Sequence, residues 1–232
     1  MSWQTIWKRK GKITPTTSNT LSHLIKISGF DTGVGQINHS AWRNYVNRIQ
    51  AMLEISSATT VSEIGCGAGA FLYPLYEQGV PVTGADYSDT SIAVARKVMP
   101  DCDFYVSEAN QLPYSDQKYD VALCSSVFHY FPNFEYAKQA LKEIVRISKS
   151  NGKIAILDLP DLAKRDAAER YRQGELSPHE YKRLYADYQH LYYDKSYFQA
   201  MGEQMNLTLS IFDQDLPGYG NAPYRFNVIF TK

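Results

Sequence analysis

Three kinds of residue in this 232-residue chain stand at spacings that suggest a ligand. The first is the run Val61-Ser62-Glu63-Ile64-Gly65-Cys66-Gly67-Ala68-Gly69-Ala70. An apolar strand that ends in a glycine turn lets a ligand approach the backbone, and the helix behind it presents unpaired N–H groups. Taken as GxGxxA, Gly65, Gly67 and Ala70 also suit a dinucleotide-binding dehydrogenase. The second is Glu63, two residues before the first glycine. A carboxylate there would face the pyrophosphate of a dinucleotide, whereas it suits a ligand carrying a cationic amine. The third is Asp86, at the end of the next apolar run, where a carboxylate can hold a ribose diol in either kind of nucleotide.

The elements that must position these residues follow from periodicity. Residues 1–59 form an N-terminal arm and helix; Ser40 is the expected N-cap of a helix carrying Trp42, Tyr45, Val46, Ile49, Met52 and Leu53 on one face. Strand–helix alternation then runs over residues 60–158. Strands are expected at Thr60–Ile64, Val80–Ala85, Asp103–Val106, Tyr119–Cys124 and Lys153–Leu157. One helix should follow the glycine turn through about Glu77, with Pro74 inside it. Another, capped by Ser88, carries Ile92, Ala95 and Met99 up to Pro100. A third carries Ala137, Ala140, Leu141, Ile144 and Val145 and is closed by Asn151-Gly152. This alternation predicts an α/β fold with a doubly wound, mostly parallel sheet. Ligands of such sheets bind at the strand C-termini. Residues 159–205 interrupt the pattern with helical material expected to act as a lid. Residues 206–232 return with two strand-like runs, Leu207–Phe212 and Arg225–Thr231, whose short connection predicts an antiparallel pair.

At this point the chain resembles the class I S-adenosylmethionine-dependent methyltransferases. Glu63-Ile64-Gly65-Cys66-Gly67-Ala68-Gly69 is similar to their first motif and Val82-Thr83-Gly84-Ala85-Asp86-Tyr87-Ser88 to their second. Ser107 through Tyr114, Tyr119-Asp120-Val121, and Leu141-Lys142-Glu143-Ile144 through Gly152-Lys153-Ile154 resemble the later stretches of a broad small-molecule group that includes quinone-biosynthesis methyltransferases. The likeness covers residues 60–158. It implies a Rossmann-like seven-stranded sheet with an antiparallel final strand, and S-adenosylmethionine as methyl donor with S-adenosylhomocysteine as product. It also implies roles at matching positions. Glu63 would hold the methionine amino group, Gly65 and Gly67 would make room for the methionine and ribose portions, and Asp86 would bind the ribose hydroxyls. Tyr87 would lie against the adenine ring, and Glu108 would accept from the adenine amine with the Ala109 backbone beside it. Ser125 would stand near the methionine end by its backbone. The family more often has Asp at position 108. The stretch after the fourth strand reads Ser125-Ser126-Val127-Phe128. It has neither the Pro-Pro-aromatic motif of many N-methyltransferases nor the clustered carboxylates of the metal-dependent catechol type, so no metal is expected.

His129 follows the fourth strand and is the candidate catalytic base. Methyl transfer is an in-line displacement that needs alignment and desolvation. A hydroxyl acceptor must also lose its proton, which a histidine near neutrality can take; the alternative is a histidine that only ties down its loop. An oxygen acceptor is thereby favoured over nitrogen or carbon. His190 falls opposite a tyrosine face and is expected on the solvated surface, His179 in a capping turn. Cys66 is expected as a small filler. Of the aromatics 18 are Tyr, against 10 Phe and 3 Trp, and seven of those tyrosines fall between Tyr171 and Tyr197. Tyr181, Leu184, Tyr185, Tyr188, Leu191 and Tyr192 form one helical face behind the start Ser177-Pro178-His179-Glu180. That face is either core for the lid or the lining of an acceptor pocket.

Composition narrows the partners. Twenty-four basic residues balance twenty-four acidic ones, which disfavours a nucleic-acid partner, whose phosphates call for surplus Lys and Arg. No 18-residue apolar run occurs, so no membrane insertion is expected. Three cysteines without CxxC spacing make disulfides and zinc ribbons unexpected and a reducing cytoplasm the expected location. The expectation is therefore a cytoplasmic, metal-independent methyltransferase acting on a small-molecule acceptor. The rivals are an NAD(P)-dependent oxidoreductase on a related fold and a non-catalytic S-adenosylmethionine-binding protein.

Overall fold

A computed structural model describes residues 20–30, 37–174, 176–177, 179–181 and 190–232. Two helices precede the sheet: α1 (Thr20–Ile27) and α2 (His39–Met52). The sheet and its covering helices follow as β1 (Val61–Ile64), α3 (Leu72–Tyr76), β2 (Val82–Asp86), α4 (Asp89–Val98), β3 (Asp103–Val106), β4 (Tyr119–Ser125), α5 (Phe134–Ile147) and β5 (Ser148–Pro160). Then come α6 (Arg165–Gln173), α7 (Lys195–Gln204), β6 (Thr208–Asp213) and β7 (Arg225–Thr231). The strands make one seven-stranded sheet of order β3-β2-β1-β4-β5-β7-β6. β1 through β5 pair in parallel, and β7 runs antiparallel to both β5 and β6. This is the doubly wound sheet expected, including the antiparallel last pair.

The central strands form because both their faces are covered, while the edge strands β3 and β6 stay partly exposed. All four residues of β1 are buried, as a parallel strand between two helical layers requires. One layer packs α1, α2 and α4 on the sheet through Leu24, Trp42, Ile49 and Ile92; the other packs α5 and α7 through Leu141, Ile144 and Phe198. In α5 the buried residues Ala137, Ala140, Leu141, Ile144 and Ile147 recur at helical spacing, and Asn133 caps it by accepting from Tyr136 N. Ser88 caps α4 as expected, accepting from Ser91 N.

Several boundaries differ from expectation for local reasons. The cap of α2 is Asn38, whose Oδ1 accepts from Ala41 N at 2.8 Å, so the helix begins before Ser40. The helix behind the glycine turn is only five residues long, because residues 67–71 are spent in turns before it starts. Helix α5 ends at Ile147 rather than at Asn151-Gly152, and β5 begins at once with polar residues, Ser148 standing beside Tyr119 in the ladder. Half of the tyrosine face expected at 181–192, namely Leu184, Tyr185 and Tyr188, lies outside the described residues. Among the described residues no helix is long and apolar enough to cross a membrane.

Candidate cofactor site

The C-terminal ends of β1, β2 and β4 open onto a cavity of about 650 Å³. Its floor is the glycine turn. Gly65 N and Cys66 N both donate to Ala85 O at 2.7 and 3.1 Å, and Gly69 N closes the turn onto Cys66 O at 2.8 Å. Gly65 has φ +74°, and a Cβ there would overlap the Val127 methyl groups. Only glycine fits that position, which keeps the backbone open to a ligand.

Asp86 organises the far side of the turn. Its Oδ2 accepts from Gly67 N at 2.9 Å and its Oδ1 from Ser88 N at 2.8 Å. Burial pushes its carboxyl up to about 6, against the pull of those two N–H groups. Glu63 is 3% exposed, and its Oε2 is buried with no hydrogen-bond partner. Burial, and then the nearby Asp86, raise its carboxyl well above the usual range. An unpaired carboxylate costs free energy in such a place unless a cation reaches it. Glu108 is exposed and accepts from Tyr136 Oη at 2.7 Å. All eight residues expected around a cofactor, namely Glu63, Gly65, Gly67, Asp86, Tyr87, Glu108, Ala109 and Ser125, line this one cavity.

Other lining residues were not among the expected cofactor contacts. Ile27, Ser28 and Phe30 at the end of α1, and Trp42 from α2, form one wall. Trp42 Nε1 donates to Ala70 O at 2.9 Å, and its ring lies 4.7 Å from Phe30, which ties the N-terminal helices to the glycine turn. Ser126, Val127, Tyr130, Phe131 and Pro132, after β4, form the opposite wall.

His129 is placed differently from its neighbour Tyr130. It is 3% exposed and does not line the cavity. Arg225 Nη1 stands 3.3 Å from its Nδ1, and its ring lies 4.0 Å from Tyr130 and 4.6 Å from His190. Burial, followed by the charge of Arg225, drives its pKa well below the ordinary value and holds it neutral. The expectation that His190 is a solvated surface residue is corrected: it packs on His129, and Leu191 N donates to His129 O at 2.9 Å. The helical-face reasoning fails there because residue 190 lies outside any helix.

Behind Ser126 stands a buried polar cluster at the ends of β4, β5 and β7. Asp158 Oδ2 accepts from Ser126 Oγ at 2.7 Å and from Tyr219 Oη at 3.0 Å. Arg225 Nη1 donates to Asp158 O at 3.0 Å and lies 3.9 Å from Oδ2. Ser126 and Asp158 both take positive φ, 58° and 63°, strained values that cluster at functional sites. A charge at the C-terminal end of β5 was the one sequence signal for this cluster.

Among the described residues no group of three or more His, Cys, Asp or Glu is placed to hold a metal ion. Of the described residues lining the cavity, three are carboxylates and none is Lys or Arg.

Residues 62–156 match the family model described as "Methyltransferase domain". An uncharacterized methyltransferase of Schizosaccharomyces pombe is 32% identical over 105 residues, covering 44% of this chain and 40% of that protein. A demethylmenaquinone methyltransferase of Thermotoga maritima is 30% identical over 132 residues, covering 56% of each. The chain thus spans less than two thirds of the curated relatives it matches. Among solved structures, the PH0226 protein of Pyrococcus horikoshii superposes with a TM-score of 0.66 at 18% identity, covering 89% of this chain and 97% of that one. Magnesium protoporphyrin IX methyltransferase of Synechocystis, crystallised with S-adenosylmethionine, gives 0.60 at 14% identity, covering 97% and 89%. At these identities the structural likeness is one of fold. Residues 62–156 thus carry a methyltransferase domain, set in a sheet with the fold of the S-adenosylmethionine-dependent methyltransferases.

Proposed function

We propose that the chain transfers a methyl group from S-adenosylmethionine to a small-molecule acceptor without a metal; with His129 outside the cavity lining, oxygen is no longer favoured over nitrogen or carbon as the acceptor atom. The observation that carries this reading is the buried, unpartnered Glu63 Oε2 beside Asp86 in a cavity floored by glycines. A cationic amine satisfies that oxygen; a dinucleotide pyrophosphate would be repelled by it. The bound cofactor would supply a sulfonium methyl group open to in-line displacement.

What remains for the chain is binding, orientation and exclusion of water. Glu63 would hold the amine and Asp86 the ribose, with its orientation fixed by Gly67 N–H and Ser88 N–H. Tyr87 and Tyr136 would flank the base, with Glu108 at its edge and Ala109 alongside. The acceptor would approach from the wall made by Ser126, Val127 and Tyr130. In this reading His129 is a positioning residue: held neutral against Arg225, it fixes the turn that turns Tyr130 into the cavity.

Calorimetric titration with S-adenosylmethionine, S-adenosylhomocysteine and NAD(P) tests the cofactor. Binding of the first two and not the third is expected; binding of NAD(P) alone would sink the reading. Release of S-adenosylhomocysteine over a panel of hydroxyl, amine and carbon acceptors separates an enzyme from a protein that only binds.

The pH dependence has a definite sign. Ligand amine needs Glu63 ionised, and ribose needs Asp86 ionised, yet both carboxyls are raised in the free protein. Affinity for S-adenosylhomocysteine should therefore rise with pH, by roughly tenfold between pH 5 and 7 from Asp86 alone, and further as Glu63 ionises. Protons should be released on binding, read as a buffer-dependent calorimetric heat. The ligand-free fold responds in the opposite sense. The raised Asp86 carboxyl contributes stability that is fully present below 3.8 and lost as pH climbs through about 6.

A further inference from the structure

Two buried side-chain oxygens in the cavity wall have no partner among the described residues: Glu63 Oε2 and Ser28 Oγ. One is a carboxylate oxygen, the other a hydroxyl that can donate. An amino-acid group presents the complementary pair, an ammonium and a carboxylate. We infer that the Ser28 hydroxyl donates a hydrogen bond to the carboxylate of the cofactor's amino-acid end, an inference that rests on the S-adenosylmethionine reading above.

The position supports this. Ser28 directly follows α1, with its N–H donating to Leu24 O at 2.9 Å. Leu24, Ile25 and Ile27 beside it are buried in the core, so the hydroxyl is held in place by packing. Its Oγ lies 3.6 Å from where a Cβ on Gly67 would stand, directly over the turn that Asp86 holds.

The charge inventory points the same way. Glu63, Asp86 and Glu108 line the cavity, with no Lys or Arg among its described lining residues. An anionic ligand group there finds neutral donors rather than a cation. The other lining hydroxyls with defined partners are committed: Ser126 Oγ donates to Asp158, Ser107 Oγ to Glu108 O, and Tyr136 Oη to Glu108. A hydroxyl to carboxylate hydrogen bond is charge-assisted and strong for its size.

The test uses the full chain and two ligands, S-adenosylhomocysteine and its decarboxylated analogue, which keeps the amine, thioether and adenosine. Ser28→Ala should weaken S-adenosylhomocysteine binding by about tenfold, while binding of the analogue, read by calorimetry or by competition, changes less than about twofold. Ser28→Thr, which keeps the hydroxyl, should retain most of the affinity for S-adenosylhomocysteine. Equal losses for the two ligands would overturn the inference, because the penalty would then not depend on the carboxylate. Unchanged S-adenosylhomocysteine affinity in Ser28→Ala would overturn it as well. If Ser28→Ala does not fold, Ser28→Cys makes the same comparison with a near-isosteric weak donor. Failure of the unmodified protein to bind S-adenosylhomocysteine at all would overturn the cofactor reading itself, and with it this inference.

Discussion

Asp86→Ala should weaken S-adenosylhomocysteine binding by about 2–4 kcal/mol, roughly 30- to 1,000-fold in Kd. Two separate losses combine. In the proposed complex the carboxylate accepts from the ribose diol, and hydrogen bonds to a charged group are the stronger kind. In the free protein the same carboxylate holds Gly67 N–H and Ser88 N–H, so its removal also loosens the turn over which the ligand lies. Asp86→Asn separates the contributions: the amide oxygen can keep one backbone contact, and its NH2 opposes the other. It should fall between wild type and Ala, and it should abolish the part of the pH dependence that comes from a carboxyl titrating near 6. Retention of wild-type affinity by Asp86→Ala would remove this residue from the ribose.

Arg225→Met should cost about 3–5 kcal/mol of stability, the range for removing one member of a buried ion pair. For a chain of this size that corresponds to a fall in Tm of roughly 6–20 °C. Arg225 is 4% exposed and Asp158 3%, so Met would leave a buried carboxylate without its cation. The same guanidinium donates to Asp158 O and faces His129 Nδ1. Its loss therefore also releases the turn that presents Tyr130 to the cavity. Adding Asp158→Asn to Arg225→Met should recover part of the stability, with Asn still able to accept from Ser126 and Tyr219. Thermal melts of the single and double variants check both the loss and its partial recovery. A loss under about 1 kcal/mol for Arg225→Met, the scale of an exposed pair, would show that the pair is solvated.

The residues legible in the sequence were those whose role is set by their immediate neighbours. The glycine turn is one: Gly65 at positive φ is required by its approach to Val127, and its spacing from β1 already pointed to a ligand-binding backbone. Asp86 is another, since the end of the second parallel strand lies beside the end of the first by topology alone. His129 could be read from the sequence as a base or as a residue that ties down its loop, and only the local backbone shows which way it faces. Phe128–Tyr130 is a single tight helical turn, in which successive side chains point about 120° apart. His129 is thus turned toward Arg225 while Tyr130 meets the cavity. His190 was assigned by extending a helix to a residue that is not helical.

The sequence by itself determined the strand–helix alternation and the glycine turn with Glu63 and Asp86; the cofactor class was what the resemblance of these motifs to the methyltransferases implied. These depend on periodicity and on contacts within about two dozen residues, where backbone geometry leaves few alternatives. Only the tertiary structure decided that Ser28 and Trp42 wall the same cavity, that Asp158 and Arg225 pair 67 residues apart, and that Tyr130 rather than His129 reaches the ligand space. Those meetings depend on the spatial order β4-β5-β7 and on which side chains packing forces inward. A charged residue reads the same along the chain whether solvent or a buried partner awaits it; burial, and with it each group's proton affinity, is a property of the assembled sheet.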